Sequence, residues 1–329
     1  MFKNKIILVT GGTGSFGNEF VKKLLKFNPK KILIFSRDEQ KQFIMEENFK
    51  LAKNKLRFLI GDIRDKDRLD FALKNVDYVV HAAALKIVPI SEYNPFEVVK
   101  TNIFGAQNLI DCCIKNNVRK VIALSTDKAS SPTNLYGATK LTSDKLFVAA
   151  NNYKGKIDTV FSVVRYGNVM NSRGSVIPYF LKLKKKNYFP ITDLKMTRFN
   201  ITLKHSVDLV LSVFRRMVGG EIFVPKIPSY KLVDLAKAIS SNAKFNIIGI
   251  RPGEKLHEEM ISLSDAPNTL EFNKYYVITP NSKYNLNNLK NYKKKFGGKR
   301  CSINFTYNSL TNKNFLSISD LKKLIKTVN

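Results

Sequence analysis

The chain has 329 residues, 44% of them apolar and 11% aromatic, which is typical of a globular protein with a full hydrophobic core. Its formal net charge of +30 is spread along the whole sequence without interleaved aromatic residues, so we interpret it as solvated surface lysine and expect no nucleic-acid partner. There is no apolar run of about 18 residues and the first strand-like segment begins at Ile6, so we expect no membrane span or signal peptide and a cytoplasmic location.

Short apolar runs alternate with helical stretches through the first half of the chain. The predicted strands are Ile6 to Val9, Ile32 to Phe35, Leu56 to Ile60, Tyr78 to Val80, Val121 to Leu124 and Val160 to Val164. The predicted helices are Asn18 to Phe27, Pro95 to Lys115 and Tyr136 to Asn152. This alternation predicts the α/β class with a doubly wound parallel sheet of the Rossmann type, covered by helices on both faces.

The regular alternation ends after Asn168, where Gly and Pro residues interrupt the pattern. A helix at His205 to Met217 and a strand at Glu221 to Val224 are expected to return to the main sheet, and Ser317 to Lys326 is expected to form a capped terminal helix. We therefore predict a dinucleotide-binding domain, a smaller C-terminal substrate lobe and a C-terminal extension. The dinucleotide-binding domain comprises residues 1–168 and about 203–224, and the substrate lobe comprises about 169–202 and 225–280. The C-terminal extension comprises 281–329.

A glycine-rich stretch follows the first strand directly and precedes the first helix. It runs Thr10-Gly11-Gly12-Thr13-Gly14-Ser15-Phe16-Gly17. Glycines at this junction allow the backbone to approach a pyrophosphate at a helix N-terminus, so the stretch predicts a dinucleotide site.

The end of the second strand bears on the choice of dinucleotide. An acidic residue there holds the ribose hydroxyls of NAD, whereas an arginine accepts the 2′-phosphate of NADP. This chain has Ser36-Arg37, and Asp38 follows one step into the loop. We therefore expect NADP in preference to NAD.

Tyr136 and Lys140 lie one helical turn apart on the helix after the fifth strand. We expect the lysine ammonium and an oxidised nicotinamide to lower the pKa of the tyrosine, which could then accept an alcohol proton as hydride leaves. Thr126, at the end of the fifth strand, would orient that hydroxyl. Together with the glycine loop, these residues predict a hydride-transfer enzyme.

These motifs resemble the extended short-chain dehydrogenases that act on nucleotide sugars and, among them, the sugar-nucleotide 4,6-dehydratases. That family typically has Thr-Asp-Glu at the end of the fifth strand, where this chain has Thr126-Asp127-Lys128. The substitution resembles the C5-inverting branch that acts on UDP-N-acetylglucosamine in pseudaminic acid biosynthesis. Further stretches that carry the resemblance are His81 to Lys86, Arg165 to Val169, Arg173 to Ile177, Met196 to Phe199 and Arg251 to His257.

The resemblance implies a set of ligand contacts. Beyond the glycine loop, the implied cofactor contacts are Ser36, Arg37, Asp38, Lys41, Asp62, Ile63, Ala82, Ala83, Lys86, Tyr136, Lys140 and Val169. The implied contacts of the UDP-sugar are Lys86, Asn168, Arg173, Gly174, Ser175, Val176, Ile177, Arg198, Arg251 and Glu254. Asn102 resembles an active-site asparagine of the superfamily, but a structural asparagine inside a helix is an equal alternative. Asn200 stands where the family has an aromatic residue.

In the chemistry that the resemblance implies, Asp127 protonates the departing C6 hydroxyl and Lys128 removes the C5 proton. We expect desolvation and nearby positive charge to keep the Lys128 amine neutral so that it can act as a base. Reprotonation of C5 from the opposite face would invert that centre. The sequence alone does not identify the group that delivers this last proton.

Other functions stay open at this point. A retaining dehydratase or a capsule-pathway dehydratase/epimerase would use most of the same residues, and a non-catalytic NADP sensor or polyanion-binding protein could share the fold. The three cysteines have no metal-ligand spacing, so we expect no metal site. The family resemblance also implies a homo-oligomer, as a dimer or a hexamer.

Overall fold

The computed structural model describes residues 1–170, 175–280 and 289–327. In chain order its strands are β1 (Ile6–Thr10), β2 (Lys31–Ser36), β3 (Leu56–Ile60), β4 (Tyr78–His81), β5 (Lys120–Thr126), β6 (Val160–Tyr166), β7 (Asn168–Val169), β8 (Tyr188–Ile191), β9 (Thr197–Ile201), β10 (Ile222–Pro225), β11 (Ser229–Lys231), β12 (Lys244–Ile247), β13 (Glu259–Ile261), β14 (Thr269–Glu271), β15 (Tyr275–Ile278), β16 (Lys299–Arg300) and β17 (Tyr307–Asn308). Its α-helices are α1 (Ser15–Leu25), α2 (Glu39–Asn48), α3 (Lys66–Leu73), α4 (Val88–Tyr93), α5 (Pro95–Val99), α6 (Gly105–Lys115), α7 (Leu135–Tyr153), α8 (Val176–Leu183), α9 (Leu203–Val213), α10 (Leu232–Ile239), α11 (Leu289–Phe296) and α12 (Ile318–Lys326).

The main sheet confirms the predicted Rossmann-type fold. Its order is β16-β14-β15-β10-β6-β5-β4-β1-β2-β3, and the seven strands from β3 to β10 in this order are parallel. Because helices cover both faces, the central strands are apolar along their length, as in Ile7, Leu8 and Val9, which are fully buried. The strand order reverses direction between β1 and β4, and ligands of such sheets bind at this switch point.

The region after β6 is more interleaved than the predicted ranges. β10 returns to the main sheet beside β6, at the position where a returning strand was expected. In addition, β14 and β15 extend the main sheet in antiparallel fashion, although they lie within the range 225–280 that we assigned to the substrate lobe. The chain therefore crosses between the sheet and the smaller lobe more often than its Gly and Pro pattern indicates.

A second hydrophobic cluster forms the core of the smaller lobe. It contains Phe180, Phe189, Ile191 and Leu235, and the terminal helix α12 adds Leu321 and Ile325. Ser317 caps α12, and its capping box with Asp320 agrees with the predicted start of this helix. The C-terminal segment thus packs onto the lobe instead of standing apart from it.

The predicted helix from Pro95 to Lys115 is continuous but not uniform. Between α5 and α6, residues Lys100–Phe104 form a π-helical turn. Such turns insert one extra residue and change which side chains face the core, and they are frequent at functional sites. In the described ranges, no helix is long and apolar enough to cross a membrane.

Candidate active site

The glycine loop between β1 and α1 has room only for backbone at two positions. Gly11 has a φ of +65°, and a Cβ there would lie 2.9 Å from the backbone of Ala83. A Cβ on Gly17 would lie 2.1 Å from the carbonyl oxygen of Gly12. Helix α1 begins after Gly14 without a capping side chain, which leaves its first N–H groups for a ligand. These features fit a pyrophosphate at the helix N-terminus.

Asp38, the acidic residue after β2, has hydrogen-bond partners within the protein. Asp38 caps helix α2 by accepting a hydrogen bond from the Lys41 N–H at 2.9 Å, and it also pairs with the Lys41 ammonium. Arg37 is 54% exposed and lies 3.6 Å from Asp62. Asp62 makes a closer contact of 2.7 Å with Arg64. A cationic guanidinium therefore stands at the position that bears on the choice of dinucleotide.

One large cavity of about 1120 Å³ joins the glycine loop to the smaller lobe. Nearly all residues that the sequence implied as ligand contacts line it. The lining includes Gly11, Thr13, Gly14, Ser15, Phe16, Gly17, Ser36, Arg37, Asp38, Lys41, Asp62, Ile63, Ala82, Ala83, Lys86, Thr126, Lys128, Tyr136, Lys140, Asn168, Val169, Ser175, Val176, Ile177, Arg198, Arg251 and Glu254. Arg173 and Gly174 lie outside the described residues, and Asp127 lies behind the wall.

The Tyr136 and Lys140 side chains face the cavity from the first turns of α7. Asn134 caps this helix through a 2.8 Å hydrogen bond from the Gly137 N–H. Burial raises the pKa of Tyr136 to about 12, and the positive charge of Lys128 opposes that rise. Lys140 donates instead to the carbonyl oxygen of Leu124 at 2.8 Å. The expectation that Lys140 and an oxidised nicotinamide together lower the pKa of Tyr136 therefore stays a prediction.

Asp127 and Lys128 form a short helical turn directly after β5. The Asp127 carboxylate is fully buried, and its Oδ1 accepts from the Thr126 hydroxyl at 2.9 Å and from the Lys128 Nζ at 3.1 Å. Its Oδ2 has no hydrogen-bond partner among the described residues. Burial raises the pKa of Asp127, although the Lys128 charge opposes this. A carboxyl group that holds its proton more tightly suits a general acid.

Lys128 contacts a second carboxylate that the sequence analysis missed. Its Nζ lies 3.0 Å from Oε1 of Glu258, which is only 2% exposed and lines the same cavity. Burial opposes the charge on Lys128, but Asp127 and Glu258 outweigh it and raise the pKa of this lysine. The expectation that positive neighbours keep Lys128 neutral is therefore wrong, because two carboxylates face it.

Local sequence gives no signal that singles out Glu258. Glu259 follows it immediately, but its side chain turns to the hydroxyls of Ser130 and Ser131, at 3.2 and 2.7 Å. Glu258 directly precedes β13 and Glu259 begins it, and successive side chains of an extended chain point to opposite sides. Only the path of the chain decides which of them reaches Lys128.

Arg198 ties the smaller lobe to this charged group. Its guanidinium lies 3.3 Å from Glu254 and 3.6 Å from Glu258, and it donates to the carbonyl oxygens of Thr197 and Leu256. Arg198 is 7% exposed, so it is held mainly by protein groups at the cavity wall. Asn200, the departure from the family pattern, also lines the cavity.

Asn102 and His81 both have structural partners. Asn102 lies in the π-helical turn, where its side chain bonds the N–H and the carbonyl of Leu85 and the Thr139 hydroxyl. This supports the structural alternative for Asn102, which holds the Leu85 loop against α7. His81 is buried beside the Thr10 hydroxyl at 2.8 Å, and burial lowers its pKa to about 3. It is a satisfied, neutral histidine at a strand end.

Comparison with known proteins places the chain among enzymes of this architecture. The family model described as "Polysaccharide biosynthesis protein" matches residues 7–280. A Campylobacter jejuni protein named UDP-N-acetylglucosamine 4,6-dehydratase (inverting) is 54% identical over 99% of this chain and 98% of its own length. A Rickettsia akari protein named UDP-glucose 4-epimerase is 43% identical over 100% of this chain and 97% of its own.

A solved structure agrees with these sequence matches. The structure of Pen from Bacillus thuringiensis superposes with a TM-score of 0.89 at 39% identity and covers 99% of both chains. The family match, the relatives and the sheet order all point the same way. The chain belongs to the polysaccharide biosynthesis protein family of extended short-chain dehydrogenases/reductases.

Proposed function

We propose that this protein is an inverting UDP-N-acetylglucosamine 4,6-dehydratase, a hydro-lyase. The observation that carries the proposal is the contact between Asp127 and Lys128, because Lys128 lines one cavity together with Tyr136 and Asp127 lies directly behind it. The more similar of the two relatives described above bears this name. An epimerase, the name of the other relative, needs no acid and base pair for the loss of water.

The acid and base steps follow from the side chains present. Tyr136 accepts the proton of the C4 hydroxyl as that carbon becomes a ketone, which makes the C5 hydrogen acidic. Lys128 removes the C5 proton, the electron pair forms the C5=C6 bond, and the C6–O bond breaks. Asp127 supplies the proton that lets the hydroxyl leave as water. Because Thr126 and Lys128 cover Asp127, we place the Thr126 hydroxyl, 2.9 Å from Oδ1, between the acid and the sugar oxygen.

A nicotinamide group supplies reversible hydride transfer at C4 and C6 of the sugar when it is bound. The glycine loop and the α1 N-terminus would hold the pyrophosphate. We propose NADP as the dinucleotide because Arg37 stands at the end of β2 and Asp38 is already engaged as a helix cap. Lys41, on the same turn, adds positive charge near this end of the cavity.

The remaining ligand contacts are proposals of the same kind. Arg251 and Glu254 would contact the uridine diphosphate, and Arg251 suits it because a guanidinium forms paired, charge-assisted hydrogen bonds with phosphate oxygens. Arg198 would lie along the substrate. Lys86 and Asn168, which line the same cavity, would contact the sugar. Burial and the charge of Lys128 lower the pKa of Lys86. An anionic ligand would reverse part of this shift.

The experiment that tests the function uses UDP-N-acetylglucosamine in deuterated water, followed by proton NMR. We expect a new C6 methyl signal, a 4-keto sugar in the L-arabino configuration and deuterium at C5. A 4-keto product in the D-xylo configuration would show that the enzyme is a dehydratase that retains the configuration at C5. A product that keeps its C6 hydroxyl and differs only at C4 would identify an epimerase and overturn the proposal.

We also propose the cellular setting and assembly. The product would be the first intermediate toward pseudaminic acid for flagellin or another surface glycan, made in the cytoplasm. A homo-oligomer is supported by an apolar surface on and next to α4 and α5. This surface consists of Ile87, Ile90, Tyr93, Phe96 and Phe104, each at least half exposed. Light scattering on wild type and Tyr93→Asp tests the assembly, and a monomeric wild type would contradict it.

A further inference from the structure

Glu258 is a buried carboxylate held against the proposed base. Its Oε1 contacts the Lys128 Nζ at 3.0 Å and the Arg198 Nε at 3.6 Å. Its Oε2 has no hydrogen-bond partner among residues 1–170, 175–280 and 289–327. Burial disfavours the charge on Glu258, but Lys128 and Arg198 outweigh it and lower the pKa of the carboxyl group, so it is ionised.

The backbone of Glu258 is fixed from both sides by the C-terminal segment. The Glu258 N–H donates to the Ser309 hydroxyl at 2.9 Å, and the Ser309 N–H donates to the Glu258 carbonyl at 2.7 Å. Ser309 is itself bonded to Thr197 on β9. A buried charge whose backbone is bonded to Ser309, which is itself bonded to β9, has little freedom to turn away from its partner.

We propose that Glu258 is a positioning residue for the reaction: it holds the Lys128 amine over the cavity floor and strengthens it as the base for the C5 proton. This inference rests on the proposed dehydratase function and deepens it. Glu258 does not touch the sugar carbon in this account. It acts through Lys128.

Charge counting shows how the group works. Asp127, Lys128 and Glu258 together carry one net negative charge when the lysine is an ammonium and both carboxyl groups are ionised. One proton moving from Lys128 Nζ to Asp127 Oδ1, across 3.1 Å, creates a neutral amine and a protonated acid at once. In the elimination the C5–H bond breaks and an N–H bond forms on Lys128, while Asp127 loses its proton to the leaving hydroxyl. Glu258 stays charged and faces the ammonium as it reforms.

Other charged and titratable groups around Lys128 do not replace this carboxylate. Arg198 lowers the pKa of Lys128, so it acts against the charge on the lysine. The uncharged Asn168 lies 3.4 Å from the Nζ through its side-chain oxygen. The remaining titratable groups that interact with Lys128 are Lys86, Tyr136, Tyr230 and Lys255. Among the described residues, Asp127 and Glu258 are therefore the two carboxylates that form ion pairs with Lys128 and stabilise its positive charge.

The first test measures the lysine and not the reaction. Purified wild type, Glu258→Gln and Glu259→Gln are labelled briefly with acetic anhydride across a pH series, and acetylation of Lys128 is quantified by mass spectrometry. Only the neutral amine reacts, and one unit of lowered pKa increases its fraction about tenfold. We expect Lys128 of Glu258→Gln to react at least about tenfold faster near pH 8. Glu259→Gln, whose carboxylate contacts serines, should match wild type.

The second test uses turnover with UDP-N-acetylglucosamine. We expect Glu258→Gln to lower kcat with little change in KM and to move the alkaline loss of activity to lower pH, because the proton shared by Asp127 and Lys128 is held less tightly. Glu258→Asp keeps the charge and should recover part of both effects. A purely structural role would lower stability without moving the pH profile.

The outcomes separate the two proposals. If Lys128 labels equally in wild type and Glu258→Gln, or if the alkaline limb of kcat does not move, the role of Glu258 is overturned. If wild type makes no 4-keto, 6-deoxy product while the labelling shift occurs, the proposed function fails and the charge coupling stands. Should Glu258→Gln not fold, the same labelling comparison with Glu258→Asp decides, and an unchanged Lys128 reactivity there counts against the proposal.

Discussion

The two ends of the cavity are built on different principles. At the dinucleotide end, the contiguous residues Thr10 to Gly17 present backbone groups. Gly11 and Gly17 lack side chains, which allows the close backbone contacts of this loop. At the acid and base end, Asp127, Lys128, Arg198 and Glu258 bring side-chain charges together from separate segments. The first end depends on local backbone shape, and the second depends on through-space electrostatics.

This difference predicts different consequences of mutation. A change in the glycine loop alters the backbone, so stability and binding should fall together. A change in the charged group alters proton transfer, so kcat should fall while binding is largely kept. Substitutions at both ends of the cavity, and one outside it, test this contrast.

Asp127→Asn should reduce kcat about 10²–10⁴-fold, the contribution typical of a positioned general acid. The asparagine amide has nearly the same shape as the carboxylate, and Lys128 keeps its ion pair with Glu258. The shape of the site is therefore preserved, and KM should change little. Steady-state kinetics measure both constants, and circular dichroism at the assay temperature checks that the variant is folded. A kcat within about threefold of wild type would remove Asp127 from the chemistry.

Gly17→Ala should destabilise the fold by roughly 1–3 kcal/mol and weaken dinucleotide binding, because the new Cβ meets the Gly12 carbonyl at 2.1 Å. Gly155→Ala is the control, since no atom lies within 4 Å of its Cβ and only its φ of +66° opposes the change, at about 1–2 kcal/mol. Urea unfolding and calorimetric titration measure the two effects. If Gly17→Ala binds NADP as wild type does, the glycine loop is not the pyrophosphate site.

Arg37→Ala should weaken NADP binding about tenfold or more while NAD binding stays within a few-fold, since a hydrogen bond to a charged group contributes about 1.5–3 kcal/mol. Arg37 is half exposed and only loosely paired with Asp62, so its removal should leave the fold intact. Titration with both dinucleotides gives the ratio. Equal losses for NADP and NAD would contradict the proposed role of Arg37 in cofactor choice.

Asp77→Asn should cost about 1 kcal/mol of stability at neutral pH. Asp77 directly precedes β4, and it accepts hydrogen bonds at the start of β1 from the Lys5 ammonium at 2.8 Å and from the Ile6 N–H at 2.9 Å. Burial by itself raises the pKa of Asp77, but these hydrogen bonds outweigh it and lower that pKa.

The sign of the pH dependence follows from this lowered pKa. The stabilisation by Asp77 is complete above the unfolded value of about 3.9 and is lost as pH falls through the folded value. Urea unfolding at several pH values should therefore show the difference from wild type shrinking below about pH 4. Asp158→Asn, on the exposed surface, is the control. A difference that stays constant with pH would mean that packing, and not charge, is lost.

Much of the fold was predictable because its signals are local. Each predicted strand of the first half overlaps an observed one, since strands buried on both faces must be apolar along their length. The glycine loop was recognisable for a related reason: its spacing records close contacts between residues that are neighbours in the chain. Tyr136 and Lys140 share a helix, and Asp127 and Lys128 are adjacent, so their proximity also required no tertiary information.

Tertiary structure alone decided the electrostatics and the partners. The sequence predicted a neutral Lys128, but Glu258, 130 residues further along, supports its positive charge. The sequence also could not predict which of Glu258 and Glu259 reaches Lys128, or that Asn102 has a structural role. Nor did it predict that β14 and β15 enter the main sheet. Periodicity and motif spacing record neighbours along the chain. The pKa of a buried group depends on burial and on charges across space, which exist only once distant segments have packed together.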